Sequence, residues 1–183
     1  TLVEGFTKQL IEALEIADKA ILTKKHDIQN IVVTGLGGSG IGGTILSELV
    51  QSECTVPIIV NKDYFLADFV NSNSLVIISS YSGNTEETIS AMQQAIAKKA
   101  QIICVTSGGK IQEIAKQNNF DCIIIRGGNP PRSCIGYSLV QLFKIMQFNG
   151  FIKTDLLNQV TDTIQLLDNE KTAIKSEATT VAK

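Results

Sequence analysis

The stretch LVIISSYSGNTEETISAMQQAIAKKA, residues 75–100, contains the signal that decides the fold. Its first six residues, LVIISS, begin with four apolar residues, as is typical of a buried strand. From Thr85 onward the pattern is strongly helical, and a threonine and two glutamates stand at its start, where an N-cap hydroxyl and acidic side chains are favoured. Serine, glycine and asparagine lie between the two parts. The stretch therefore predicts a strand, a polar loop and a helix in direct succession.

The same unit recurs along the chain. Four further apolar runs predict strands at residues 31–35, 57–61, 101–106 and 121–126, and most of them are separated by helical patterns. Short apolar strands that alternate with helices are typical of a parallel sheet covered on both faces. The sequence therefore predicts a three-layer α/β/α sandwich with a five-stranded parallel sheet of flavodoxin-like type and flanking helices at both ends.

Composition argues against several classes of partner. The chain has 183 residues and a net charge of −2, so it lacks the basic surface that nucleic-acid binding requires. No run approaches the roughly 20 apolar residues of a membrane-spanning helix, and the first residues do not resemble a signal peptide. The four cysteines form no CxxC pair. We interpret them as small buried apolar residues and expect a reducing, cytoplasmic location.

Two loops rich in glycine and serine follow the first and third strands, GLGGSGIGG at residues 35–43 and SYSGNT at residues 80–85. Ligands of parallel sheets bind beyond the carboxyl ends of the strands. Glycines let the backbone approach a phosphate, and the N–H groups at a helix N-terminus complement its charge. The hydroxyls of these loops would add donors, from Ser39, Ser80, Ser82 and Thr85. Capping and turn formation remain the alternative role for Thr85 and Asn84.

The first loop also satisfies the dinucleotide fingerprint GxGxxG. That site needs an acidic residue about 20 residues further on, at the tip of the second strand. Here the second strand ends in Asn61 and Lys62, and Asp63 comes late. No GK[ST] follows the glycines, as a nucleotide-binding P-loop would require. A small anion such as a phosphate group therefore fits better than a nucleotide.

A third segment, RGGNPPRSCIGYS, follows the fifth strand at residues 126–138. Pro130 and Pro131 stiffen it and are expected to place Arg132 at the beginning of a helix. A cation there opposes the helix dipole, which favours a guanidinium aimed at an anionic ligand over a purely structural role. A surface ion pair is the alternative. Arg126 is a weaker candidate, because it ends a strand and is expected to be solvated.

Four blocks in this order resemble the amino-terminal half of the bifunctional phosphoglucose/phosphomannose isomerases, which belong to the sugar isomerase (SIS) domain superfamily. The blocks are GLGGSGIGG, SYSGNTEET, TSGGK at residues 106–110, and PPRSCIGY at residues 130–137. The resemblance implies that one set of residues holds the phosphate of a hexose 6-phosphate: Gly38, Ser39, Ser80, Ser82 and Thr85. It implies that Arg132 stabilises a cis-enediolate while fructose 6-phosphate interconverts with glucose 6-phosphate and mannose 6-phosphate. It further implies a homodimer that needs no metal or other cofactor.

The sequence departs from the family where the general base should be. The family's catalytic glutamate and ring-opening histidine lie in its second half, and the single histidine here, His26, is expected on the solvated surface. Glu86 and Glu87 are explained by the dipole of their helix. We therefore expect an N-terminal helix at 1–27, an SIS sugar-phosphate-binding domain at 28–152, and a helical linker at 153–183 leading to a second SIS domain. The alternative is a regulatory SIS module that binds sugar phosphate without catalysis.

Overall fold

All the strands within residues 2–182, the part of the chain that this computed structural model describes, lie in one parallel sheet. The sheet consists of β1 (Asn30–Thr34), β2 (Ile58–Asn61), β3 (Ser74–Ser80), β4 (Gln101–Thr106) and β5 (Asp121–Ile124). Their order is β2-β1-β3-β4-β5. The order reverses between β1 and β3, so the switch point lies between the two strands that precede the glycine- and serine-rich loops.

Helices cover both faces of this sheet. They are α1 (Phe6–Lys19), α2 (Gly38–Val50), α3 (Glu86–Ala97), α4 (Gly109–Gln117), α5 (Ile135–Asn149) and α6 (Leu156–Val181). A short 3-10 turn, Pro131–Ser133, precedes α5. Residues 62–73 connect β2 to β3 without a helix. Among the helices of residues 2–182, none combines the length and the apolar character needed to cross a membrane.

The central strand β3 shows why three layers form. All seven of its residues are buried, and successive side chains of a strand face opposite sides of the sheet. Leu75 and Ile77 belong to one core cluster, together with buried residues of α1, α2 and α5. Val76 and Ile78 belong to a second cluster, with buried residues of α3 and α4. The predicted three-layer α/β/α sandwich with a five-stranded parallel sheet is confirmed.

The ends of the chain differ in detail from the predicted elements. The N-terminal helix expected at 1–27 is shorter in the structure, because α1 ends at Lys19. The segment that follows is extended, and Thr23 and Lys25 both bind the carboxylate of Asp121 at the sheet edge, with Lys25 Nζ 2.8 Å from Oδ2. The tail forms one 26-residue helix, α6, whose buried residues all lie in its first nine positions.

Candidate functional site

The start of α2 lies against both other polar segments. A Cβ atom at Gly38 would be 3.3 Å from the carbonyl oxygen of Pro131 and 3.8 Å from Cα of Arg132, so the glycine permits close approach of the 3-10 turn. The next residue, Ser39, is buried, and its Oγ accepts a hydrogen bond of 3.3 Å from the backbone N–H of Tyr81. The structure therefore brings the three predicted segments together at the carboxyl edge of the sheet.

The start of α3 presents unpaired donors at this edge. Within residues 2–182, the backbone N–H groups of Glu86, Glu87 and Thr88 have no hydrogen-bond partner. Such groups carry the positive end of the helix dipole and form a binding site for anions. Next to them, Ser80 Oγ and Thr85 Oγ1 share a hydrogen bond of 3.0 Å. Thr85 occupies the N-cap position as predicted, but its hydroxyl makes no capping bond and is bonded to Ser80 instead.

Ser82 lies at the exposed tip of the same loop. Its Oγ accepts a hydrogen bond of 3.3 Å from the N–H of Asn84, so its own hydroxyl proton can be donated to a ligand. The following residue, Gly83, has a φ of +70°, which favours glycine. The first turn of α4 supports this conformation, because Lys110 N–H donates to Asn84 Oδ1 over 3.0 Å. The TSGGK block thus stabilises the SYSGNT loop through this hydrogen bond.

Arg132 is exposed and lies in the 3-10 turn, whereas the sequence predicts that it begins a helix. Helix α5 begins three residues later, at Ile135, because the two prolines fit the turn and Pro131 occupies its first position. Among the described residues, its guanidinium forms no hydrogen bond or ion pair. It borders an apolar groove of about 510 Å³ between residues 2–7, the turn and α6. The alternative of a surface ion pair is therefore not realised here, and the cation is free to meet an anion.

Arg126 is exposed, as the sequence suggests, but it is also paired. Its Nη1 binds both carboxylate oxygens of Glu12 in α1, at 2.7 and 2.8 Å. The Tyr137 hydroxyl also donates to Glu12 Oε2, and this bond, followed by the Arg126 guanidinium, holds the pKa of Glu12 below its ordinary value. Burial and the adjacent Glu12 raise the pKa of Tyr137 to about 12. The partner of Arg126 is 114 residues away in the sequence, so no local pattern could have indicated the pair.

Tyr81 is the residue of this edge that the sequence analysis missed. Besides binding Ser39 through its N–H, its carbonyl oxygen accepts the N–H of Ser107 over 3.0 Å. Its hydroxyl oxygen accepts the N–H of Asn129, in the loop before Arg132, over 3.2 Å. One residue, only 8% exposed, therefore connects the loops after β1, β4 and β5. The only available signal was a large aromatic residue between two serines of a polar loop.

The histidine of the sequence lies away from this edge. His26 is exposed, and its carbonyl oxygen accepts a bond of 2.7 Å from Gln101 at the start of β4, which places it at the opposite edge of the sheet. All four cysteines are free thiols, and Cys104 and Cys134 are buried, whereas Cys54 and Cys122 are half-buried. Residues 2–182 contain no group of three or more histidine, cysteine, aspartate or glutamate residues that could hold a metal ion.

Comparison with known sequences gives consistent relatives. A protein from Caldicellulosiruptor bescii named bifunctional phosphoglucose/phosphomannose isomerase is 43% identical over 176 residues, which are 96% of this chain and 52% of that protein. A protein from Sulfolobus acidocaldarius named D-glucosamine-6-phosphate 4-epimerase is 31% identical over 156 residues, 82% of this chain and 49% of that protein. The chain spans about half the length of these curated relatives.

Comparison with solved structures and with family models agrees on the fold. A candidate phosphosugar isomerase from Clostridium difficile 630 superposes with a TM-score of 0.71 at 21% identity, covering 94% of this chain and 52% of that one. The family model described as the SIS domain matches residues 21–139, which contain the whole sheet and the three segments at its carboxyl edge. Since that match extends over more than half of the residues, the chain belongs to the SIS domain family.

Proposed function

We propose that the protein is an aldose–ketose isomerase that interconverts fructose 6-phosphate with glucose 6-phosphate and mannose 6-phosphate. The observation that carries the proposal is that two features lie at the same, carboxyl edge of the sheet. The unpaired N–H groups of Glu86–Thr88 suit a phosphate, and the unpaired guanidinium of Arg132 suits a second negative charge. The 43% identity to the relative named bifunctional phosphoglucose/phosphomannose isomerase supports the same conclusion.

In this proposal the substrate phosphate binds at the start of α3. The N–H groups of the helix neutralise part of its charge, and hydroxyls donate further hydrogen bonds to its oxygens. The hydroxyl donors are Ser39, Ser80, Ser82 and Thr85. Gly38 contributes its backbone N–H, which has no partner within residues 2–182, and it also leaves room for the Arg132 turn.

Arg132 acts on the reacting end of the sugar. A general base removes the proton from C2 of the open-chain aldose, and the resulting cis-enediolate carries negative charge on its oxygens. Returning that proton to C1 gives the ketose, and no atom or electron is lost. A fixed guanidinium stabilises the enediolate because it is already oriented when the charge develops. Proton transfer of this kind needs a carboxylate or similar base within hydrogen-bond reach.

We further propose where the remaining groups lie. The relatives are about twice as long as this chain, which supports an arrangement with an N-terminal segment at 1–27 that contains α1, the SIS sugar-phosphate-binding domain at 28–152, and a linker at 153–183 towards a second SIS domain. The second domain would supply the general base and the ring-opening histidine. A cytoplasmic homodimer without metal or other cofactor, and without nucleic acid as partner, completes the proposal. The net charge of −2 supports the proposal that nucleic acid is not a partner.

A regulatory module that binds sugar phosphate without catalysis is the second candidate. One observation favours it: the single histidine of the sequence lies at the edge of the sheet opposite the polar loops. Such a protein would bind glucose 6-phosphate and leave it unchanged.

A coupled assay of the intact protein separates the two candidates. Conversion of both glucose 6-phosphate and mannose 6-phosphate to fructose 6-phosphate is expected. Substituting Arg132→Ala should lower kcat by roughly 100-fold or more, the cost of removing one oriented donor from an oxyanion site. Inhibition by inorganic phosphate should be unchanged, because the variant leaves the phosphate cradle intact. This cradle consists of the first N–H groups of α3 together with Gly38, Ser39, Ser80, Ser82 and Thr85. Binding without turnover would favour the regulatory module, and an unchanged kcat in Arg132→Ala would remove the proposed role of the arginine.

A further inference from the structure

A buried amide in α1 reaches the turn that carries Arg132. Gln9 is only 5% exposed, and both ends of its side chain are bonded to this part of the chain. Its Nε2 donates to the carbonyl oxygen of Ser133 over 2.8 Å, and its Oε1 accepts the N–H of Gly136 over 2.8 Å. Ser133 directly follows Arg132, and Gly136 lies in the first turn of α5. The amide thus joins the 3-10 turn to the helix that follows it.

The fit between α1 and this region is close. A Cβ atom at Gly136 would lie 2.7 Å from Gln9 Oε1 and 3.1 Å from Cδ2 of Leu10, so a glycine is needed for the helix to approach. Three residues further along α1, Glu12 binds Arg126 at the start of the same loop and Tyr137 at its end. One face of α1 therefore holds both ends of residues 126–137, while Arg132 itself projects unpaired from the middle.

We propose that Gln9 is a positioning residue that fixes the Arg132 turn relative to the phosphate cradle. The inference rests on the proposed function, because it assigns to Gln9 the task of orienting the guanidinium for the enediolate. Outside α1, the turn is restrained by the bond from Asn129 N–H to the Tyr81 hydroxyl, by the close approach of Gly38, and by its own backbone bonds, Ser133 N–H to Pro130 and Cys134 N–H to Pro131. Without the amide, the local bonds preserve the conformation of the turn, but they do not fix its position relative to α1. A displacement of about 1 Å can reduce a rate by roughly 100-fold, because orientation is lost.

The decisive variant is Gln9→Met, which keeps the length of the side chain and removes both polar ends. Gln141→Met is the matched control, because Gln141 is also fully buried and also joins α1 to α5, with its Nε2 2.9 Å from the carbonyl oxygen of Ala13. It does not bind the Arg132 turn. Gln9→Glu is a second variant that keeps the acceptor for Gly136 N–H and loses the donor to Ser133.

Kinetics of the intact protein with fructose 6-phosphate give the first readout. We expect Gln9→Met to lower kcat by roughly 10- to 100-fold with KM changed less than about twofold, and Gln9→Glu to lower it less. Gln141→Met should keep the wild-type kcat. Equal kcat values in all four proteins would overturn the proposal, and so would equal losses in Gln9→Met and Gln141→Met, since these would indicate a general effect on the helix packing.

Hydrogen exchange measured by mass spectrometry gives a second readout that does not depend on activity. We expect faster exchange in residues 131–137 in Gln9→Met than in wild type or Gln141→Met. If the wild-type protein has no isomerase activity, the proposed function fails, and exchange alone decides whether Gln9 holds the turn. Unchanged exchange in Gln9→Met would overturn the positioning role whether or not the protein is an enzyme.

Discussion

Ser79 and Ser80 are consecutive residues of β3 whose hydroxyls face opposite sides of the sheet. Ser79 lies on the face of Leu75 and Ile77, and within residues 2–182 its buried hydroxyl has no hydrogen-bond partner. Ser80 lies on the other face, where its hydroxyl binds Thr85 beside the start of α3. The two serines therefore allow the role of one hydroxyl to be tested against a neighbour of the same type.

We predict that Ser80→Ala raises KM for hexose 6-phosphates by roughly 10-fold or more, because a hydrogen bond to a charged group contributes about 1.5–3 kcal/mol. Ser79→Ala should leave KM unchanged and leave the free energy of unfolding equal or slightly higher, because it removes an unsatisfied buried hydroxyl. Steady-state kinetics and urea denaturation of both variants provide the measurements. An unchanged KM in Ser80→Ala would count against the phosphate cradle.

For individual residues, the sequence predicted which side chains lie close together but not which hydrogen bond each of them forms. The strand–loop–helix pattern was enough to expect Ser80, Ser82 and Thr85 near each other, because they are close in the chain. The Ser80–Thr85 hydrogen bond, which replaces the expected cap, depends on side-chain rotamers. The hydrogen bonds of Arg126 and Tyr81 could not be predicted from the sequence, because their partners come from distant segments of the chain.

Among the connecting elements, the loops after β3 and β4 are packed against each other at Gly83. A Cβ atom there would lie 1.8 Å from the carbonyl oxygen of Gly108, far inside van der Waals contact. Gly128, in the loop after β5, has a φ of +92° but no heavy atom within 4 Å of the position of a Cβ. A substitution at Gly128 therefore tests backbone strain alone, whereas a substitution at Gly83 tests backbone strain together with a steric clash.

We predict that Gly128→Ala costs about 1–3 kcal/mol of unfolding free energy, the cost of a sparsely allowed backbone conformation. Gly83→Ala should cost at least about 1–3 kcal/mol more, because the two loops must also move apart. Chemical denaturation measures both values. Equal losses in the two variants would show that the close contact between the loops does not contribute.

Element boundaries show what local patterns can and cannot establish. The bounds of all five predicted strands agree with β1–β5 to within about two residues. Burial on both faces of a parallel sheet leaves a nearly continuous apolar signal in the sequence. The edge strand β2 is only partly buried, since one of its sides has no neighbour. The start of α5 was missed because Pro130 and Pro131 suit a 3-10 turn as well as a helix start.

For the whole molecule, α6 divides into a packed half and an exposed half. Leu156, Val160 and Ile164 are buried against the domain, but residues 168–182 are all exposed. An exposed ion pair between Lys175 and Glu4, 2.7 Å long, links this half to the start of the chain. An exposed pair of this kind contributes about 0–1 kcal/mol.

We therefore predict that deleting residues 168–183 changes the free energy of unfolding by less than about 1 kcal/mol. Deleting residues 152–183 should unfold the domain, because it also removes Ile152 and the buried residues of α6, each worth about 1.5–3 kcal/mol. Thermal and urea denaturation compare the two deletions. A large loss from the shorter deletion would show that the distal half of α6 belongs to the folded unit.

The central claim is that a sugar phosphate binds at the carboxyl edge of the sheet through its phosphate. Backbone amide NMR of residues 1–183, titrated with glucose 6-phosphate, inorganic phosphate and glucose, tests it most directly. Both phosphates should shift the amide signals of Glu86, Glu87 and Thr88 and of Gly38, whose N–H groups have no partner in the described chain, and glucose should not. Shifts confined to other residues, or equal shifts with glucose, would contradict the account.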